Sequence, residues 1–424
     1  MLPSHAPVVV AGGGPAGFMA AITAAEGGAT GVLVLEATAE PLHKVRISGG
    51  GRCNVTHPCW DPRLLVGHYP RGGRALRGPF SRFATGDAVA WFKARGLGLV
   101  EESDGRLFPE SHRSTSVVRA LREAAVAAGV TVLTGRALRS ALPRPEGGFD
   151  LTLRDGADLG ADRLVLATGS HPSGHRLAAA LGHDLVPPVP SLFTLTLADH
   201  PLGDLAGVVM DPVGLELRLA SPNGARRRQG SLRQRGAVLV THWGLSGPAV
   251  LRLTAFAARD LRDHRYRCDL QVDWTGGMAP EELEGHFQRA RQDHPRRLLA
   301  NWRPWPGLSR RLWVHLLGLE GLSAEGRWAE LDRRRHQRLI EALRRSRYAI
   351  AGRGPFGEEF VTAGGVPTDQ ISTATMASRR QAGLYLVGEL LDVDGVTGGF
   401  NFQHCWSSGW LAGQALAAAG PLPV

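Results

Sequence analysis

One short stretch near the N-terminus constrains the fold more than anything else in the chain. Gly12-Gly13-Gly14-Pro15-Ala16-Gly17 follows the apolar run Val8 to Ala11 and opens a helix-like segment over 15–26. Val32 to Leu35 is a continuous β-branched and leucine run, as a buried parallel strand requires, and it ends at Glu36. Strand, glycine turn, helix, strand and acid fall in the register of a βαβ dinucleotide-binding unit. Gly12 permits the tight turn, Gly14 lets the main chain approach a pyrophosphate, and Gly17 lets helix and strand pack closely. Pro15 and Ala16 open a helix whose unpaired N–H groups and dipole favour phosphate. The Glu36 carboxylate can accept from both ribose hydroxyls and would repel a 2′-phosphate. The unit predicts a bound ADP moiety.

Beyond this unit, a long loop carries Ser48 to Asn54, and helical patterns cover 87–95 and 116–128. Between Val130 and Ala167 three apolar runs, separated by Pro145-Glu146-Gly147-Gly148 and Asp155-Gly156, read as a β-meander. Pro187-Pro188-Val189-Pro190 then interrupts the chain, because successive prolines continue neither a helix nor a central strand. The following stretch is strand-rich at first, then helical and arginine-heavy from about 280 to 348. Strands and glycine turns return in the last 70 residues or so, before an alanine-rich helix near 406–419. This order predicts an α/β fold. A discontinuous Rossmann-type domain (three-layer ββα) is built from 1–190 and 351–424, and a β-plus-helical domain is inserted at 191–350.

Near the C-terminus, Leu384 to Glu389 is a strand running into an acid, and Gly398-Gly399-Phe400-Asn401-Phe402-Gln403 precedes the last helix. Glycines there would let main chain lie against a flat ring. The N–H groups of the following helix would then stabilise negative charge at the N1–C2=O edge of a reduced flavin. A metal loop made from Glu389, Asp392 and Asp394 is the competing reading, but these acids lack EF-hand spacing, so no metal is expected. A second glycine pattern, Gly352 to Gly357, precedes strand-like Glu358 to Val361 and lacks a following strand-and-acid. It predicts no separate nicotinamide domain.

These motifs, with Lys44, SGGGRCNVT at 48–56, GRLFPES at 105–111, LATGS at 166–170, THWGLSGPAVL at 241–251, TAGGV at 362–366 and GLYLVGELLDVDGVTGGFNFQHCWSSG at 383–409, resemble the BaiN/RdsA-like bacterial NAD(P)/FAD-dependent oxidoreductases. The resemblance runs over most of the chain and implies FAD. It places Lys44 and the loop Gly50-Gly51-Arg52-Cys53-Asn54 on one side of the isoalloxazine and Gly398 to Gln403 on the other. Main chain at Ala137 would meet the adenine, and Thr168, Gly169, Gly388, Glu389 and Asp392 complete the expected cofactor contacts. It implies NAD(P)H as a transient co-substrate and hydride transfer from reduced flavin to an unidentified small molecule, such as a conjugated C=C. Two further readings stay open: a nucleic-acid-modifying flavoenzyme, and a flavin-bearing redox or binding protein with little turnover.

Two residues are candidates for catalysis. Cys53 is either a flavin-facing thiol or a small packing residue; a dithiol with Cys59 suffers from the C-x5-C spacing and from Pro58. His242, at a strand end before Gly244, is either the proton donor that reduction of a double bond requires or a structural histidine. The formal charge of +10 raises nucleic acid as a partner. With only Lys44 and Lys93 as lysines, clusters such as Arg226-Arg227-Arg228 and Arg333-Arg334-Arg335 also read as solvated arginine-rich faces. Four cysteines without framework spacing, and no apolar run of membrane length, predict a cytoplasmic protein without membrane association. Oligomeric state has no signature in the sequence.

Overall fold

Val9 and Val10 point to opposite faces of a central strand and both are wholly buried, so both faces of the sheet are covered there. The computed structural model describes residues 2–219, 232–354 and 361–420. It divides the chain into two compact units, one of Met1–Val189 with Val361–Val424 and one of Pro190–Phe360.

In the first unit β1 (His5–Ala11), α1 (Pro15–Glu26) and β2 (Val32–Leu35) form the expected βαβ unit, with Val8 opposite Val32 and Ala11 opposite Leu35 in parallel register. Helix α2 (His43–Gly51) is broken at Ser48 to Gly50, where the backbone leaves helical angles. Helix α3 (Ser114–Ala127) then leads to β3 (Thr131–Leu133), β4 (Leu138–Pro143), β5 (Phe149–Leu153) and β6 (Asp158–Leu166). The chain returns at β7 (Leu384–Leu386) and ends in α4 (Phe400–Ala418). The sheet order is β3-β2-β1-β6-β5-β4, with β7 also on β6.

Strand β6 joins the parts. Its first half takes β5 antiparallel (Ala161 opposite Phe149), its second half takes β7 parallel (Leu164 opposite Leu384), and its other edge pairs with β1. Both chain segments of this unit therefore share one strand with the glycine fingerprint.

Helices α1 and α4 pack with little between their backbones. A Cβ at Gly409 would sit 2.5 Å from the Ala16 carbonyl oxygen, and one at Gly413 would sit 2.5 Å from the Thr23 Cβ. The spacing of four puts both glycines on one face of α4. Helix α4 also starts earlier than the sequence suggested, at Phe400 rather than near 406. Gly398 and Gly399, at φ +124° and +89°, complete the turn, and the chain becomes helical directly after them.

The insert holds a closed antiparallel barrel. Its strands run in the order Leu195–Leu197, Gly244–Ser246, Arg233–Val240, Val209–Arg218, Cys268–Asp273 and Ser346–Arg353, and the last pairs with the first. The boundary expected at 350 falls inside that last strand, which the barrel needs for closure, so the insert runs past it. Helices Pro280–Asp293, Arg310–Leu319 and Arg333–Arg345 share a core that includes Phe287, Trp313, Trp328 and Leu339. The proline run lies on Val186–Ser191, in a two-stranded ribbon where each strand keeps a free edge. Gly352 and Arg353 end a strand. Residues 355–360 and the cluster at 226–228 lie outside the described residues. Among the described residues, no helix is long and apolar enough to cross a membrane.

Candidate dinucleotide site

The three fingerprint glycines do two different things. A Cβ at Gly12 would lie 2.3 Å from the Ala167 carbonyl oxygen, and one at Gly17 would lie 2.0 Å from the Gly12 carbonyl oxygen, so both permit close packing. At Gly14 a Cβ would meet nothing within 4 Å. Open space lies in front of the α1 N-terminus, which begins at Pro15 and has no side-chain cap. The first-turn N–H groups of such a helix need an outside acceptor, and a phosphate is the natural one.

Glu36 is fixed across this opening. One carboxylate oxygen accepts from the Gly13 N–H at 2.8 Å, the other from the N–H and hydroxyl of Thr38 at 2.7 Å each. A carboxylate has about four acceptor positions, so this one keeps room for a hydroxyl. Its main chain binds the next segment too, since the Arg136 N–H donates to the Glu36 carbonyl oxygen. That bond sets Ala137 beside the acid, where the adenine end of a dinucleotide would lie.

From the other chain segment, Gly388 packs on α1: a Cβ there would be 2.8 Å from the Ala16 Cβ. Glu389 pairs with Lys44 at 2.6 Å and accepts from the Thr362 N–H at 3.0 Å. Gly169 faces the same carboxylate, and the neighbouring Thr168 hydroxyl is buried without a partner.

Residues 52–56 lie directly on the start of α4. The Asn54 amide donates to the Thr56 carbonyl oxygen at 2.9 Å and accepts from the Gly399 N–H at 3.0 Å. The Thr56 hydroxyl donates to the Gln403 amide oxygen at 2.6 Å, and the Trp406 indole N–H donates to the Val55 carbonyl oxygen at 2.9 Å. Arg52 pairs with Glu102 and covers the Phe108 ring at 4.1 Å. Gly50 and Gly51, both at positive φ, again face open space.

Several residues of the Gly398 to Gln403 stretch turn their side chains inward, which leaves main chain for any contact with a ring. Asn401 makes both its amide bonds to the main chain of Gly395, Gln403 is fully buried between Thr56 and Ser407, and Phe402 stacks on Trp406. Phe400 stacks on His68 with ring centroids 4.2 Å apart, and its carbonyl oxygen accepts from the Tyr69 hydroxyl. These side chains brace the turn, which leaves the uncapped N-terminus of α4 as its polar offering. The Asp392 main chain is bonded to Val366, and Asp394 is buried in a two-pronged ion pair with Arg71. Among the described residues no group of three or more His, Cys, Asp or Glu is placed to hold a metal.

Cys53 is wholly buried at φ +61°, and burial pushes its thiol up to about 12. It is a neutral thiol at physiological pH. His242 is exposed on the insert, in the turn between Arg233–Val240 and Gly244–Ser246. In the first unit His404 is buried in α4, bonded to the Gly388 carbonyl oxygen, and held down to about 4 by that burial. His57, whose ring lies 4.7 Å from Phe400, escaped the sequence reading, although it directly follows the Asn54-Val55-Thr56 motif. His68, Tyr69 and Arg71 carried no motif at all.

An open glycine turn, an acid fixed across it and a second uncapped helix fit an oxidoreductase of the Rossmann flavoprotein class. The comparisons agree. Residues 6–415 match the family model described as HI0933-like protein Rossmann domain. The chain is 30% identical to a 3-dehydro-bile acid delta(4,6)-reductase of Clostridium scindens, covering 96% of this chain and 98% of that one. It is also 30% identical to a ribosomal RNA dihydrouridine synthase of Escherichia coli, covering 97% and 98%. In fold it is similar to a 3-ketosteroid-delta4-(5alpha)-dehydrogenase of Rhodococcus jostii RHA1, with a TM-score of 0.52, 16% identity and 98% of both chains covered. The chain belongs to the HI0933-like Rossmann family.

Proposed function

We propose that the chain holds FAD and uses NAD(P)H to reduce an electron-poor carbon–carbon double bond. The supporting observation is that Gly14, in front of the uncapped start of α1, faces open space beside the fixed Glu36 carboxylate, while residues 52–56 are bonded to the uncapped start of α4. The α1 N-terminus would hold the pyrophosphate and Glu36 a ribose hydroxyl, while the α4 N-terminus would face the ring. When bound, the flavin supplies two-electron hydride chemistry. The protein's own part is placement: the Asn54 amide and the Thr56–Gln403 bond fix the α4 turn, and the helix start favours negative charge in front of it. Cys53, buried and neutral, is then a packing residue rather than a nucleophile. The bile acid reductase and the dihydrouridine synthase named above both carry names that describe hydrogenation of an unsaturated ring.

The acceptor in this reading is either a small conjugated molecule or a nucleobase. One observation favours the second. Residues 190–360 hold 27 arginines against 19 acidic residues, while the rest of the chain holds 22 basic against 20 acidic; the insert thus carries +8 of the formal +10.

Purified protein should be yellow and release FAD on denaturation. Anaerobic addition of NADH or NADPH should bleach the flavin, and a conjugated enone or a uridine-containing RNA should restore its colour without oxygen. Bleaching by neither nicotinamide would overturn the reductase reading.

A further inference from the structure

We infer that the surface formed by residues 294–311 of the insert docks single-stranded RNA. The inference rests on the nucleobase form of the proposed function, and it locates where the polynucleotide is held.

Several of the insert's arginines are balanced by carboxylates. Arg233 and Arg218 pair with Glu216, Arg338 with Glu320, and Arg345 with Glu341. Residues 294–311 differ. This segment has five arginines (Arg296, Arg297, Arg303, Arg310 and Arg311) and no acidic residue. Three of the five are held by neutral oxygens: Arg303 donates to the Leu308 carbonyl at 2.7 Å, Arg310 to the Ala300 carbonyl at 3.2 Å and the Asn301 amide oxygen at 3.3 Å, and Arg311 to the Ala206 carbonyl at 3.1 Å. Those bonds fix the guanidinium groups without cancelling their charge. Arg296 and Arg297 stand exposed beside them.

An aromatic platform sits among these cations. Trp302 is 38% exposed, although large aromatics are usually well covered, and its ring lies 3.7 Å from the His294 ring. The main chain beneath is rigid, because the Trp302 N–H donates to the Leu298 carbonyl and its own carbonyl accepts from the buried Trp328 indole at 3.1 Å. A fixed indole among uncancelled guanidinium groups matches what an unpaired polynucleotide offers, a π-face beside each phosphate. A duplex hides those faces, so the platform selects single strands.

The test uses the full-length flavin-loaded protein and a fluorescein-labelled single-stranded RNA of about 20 nucleotides, read by anisotropy over a range of salt. Trp302→Ala should weaken binding about 10-fold, and Trp302→Phe should restore most of it. Arg296→Ala with Arg297→Ala should lower the slope of log affinity against log salt by about 1–2. Arg333→Ala with Arg334→Ala, an equal charge change on the helix Arg333–Arg345, should do much less. Equal losses from both arginine pairs, no effect of Trp302→Ala at an unchanged melting temperature, or equal competition by duplex RNA would each overturn the docking site. Flavin bleaching by nicotinamide should be unchanged in every variant. Failure to bleach in the parent protein would instead sink the reductase reading and leave the binding result standing.

Discussion

Gly12 and Gly14 are two residues apart, and opposite consequences follow from substituting them. At Gly14 the backbone is extended, with φ −85° and ψ −177°, and a side chain would enter open space. Gly14→Val should therefore fold with its melting temperature within a few degrees of the parent, yet lose at least about 10-fold in FAD retention because the methyls occupy the phosphate space. At Gly12, φ +118° and the Ala167 carbonyl at 2.3 Å combine strain with a clash against backbone. Gly12→Ala should cost about 2–4 kcal/mol of stability. Melting curves and the flavin content after desalting separate the two, and full flavin retention in Gly14→Val would remove that turn from the cofactor site. His404 makes a prediction about pH. Burial lowers its folded pKa to about 4 from the usual 6.5, so between these values the unfolded chain binds the extra proton. Its stabilising share is complete above about pH 6.5 and is lost as pH falls toward 4, by about 3 kcal/mol in all. Replacing it by glutamine should flatten that acid limb in denaturant titrations between pH 4 and 7; an unaltered limb would assign the acid sensitivity elsewhere.

At the scale of elements, the small-residue face of α4 ties the two ends of the chain together. With Gly409 and Gly413 lying within contact of the Ala16 and Ala20 carbonyls, Gly413→Val must push α4 away from α1. We expect a loss of at least about 3 kcal/mol, measured by urea unfolding, with flavin affinity falling as Gly388 loses its seat on Ala16. Near-native stability would mean that the helices repack freely. The same contrast explains what was legible in the sequence. β1, α1 and β2 were readable because the pattern that makes each of them is local: alternation of apolar runs, a glycine turn, a proline at the first helical position. The bracing of the α4 start was not. The side-chain role of Gln403 is not legible in a glycine-rich stretch, because its partner Thr56 comes from 347 positions away. Phe400 to Gln403 read as loop in the sequence, since nothing in four residues announces that a helix begins immediately after two glycines at positive φ.

The whole molecule consists of two units with separate cores, the sheet and helices of the chain ends on one hand and the barrel with its tryptophan-lined helices on the other. The proposed cofactor contacts are drawn from the first unit alone. Ligand that binds only the folded form of one unit stabilises that unit by mass action, by about 2.7 kcal/mol when free ligand stands at 100 times its dissociation constant. Units of this size with their own cores unfold by default as separate cooperative blocks. Calorimetry of the flavin-free protein should then resolve two transitions, and adding FAD should move one of them upward by several degrees while leaving the other in place. Gly14→Val should abolish that shift without altering either transition in the absence of flavin. Single-stranded RNA, by contrast, should raise only the transition that FAD leaves alone, because residues 294–311 lie wholly in the insert. If FAD raised both transitions equally, the cofactor would draw on both units and the assignment of its contacts to the chain ends would have to be abandoned.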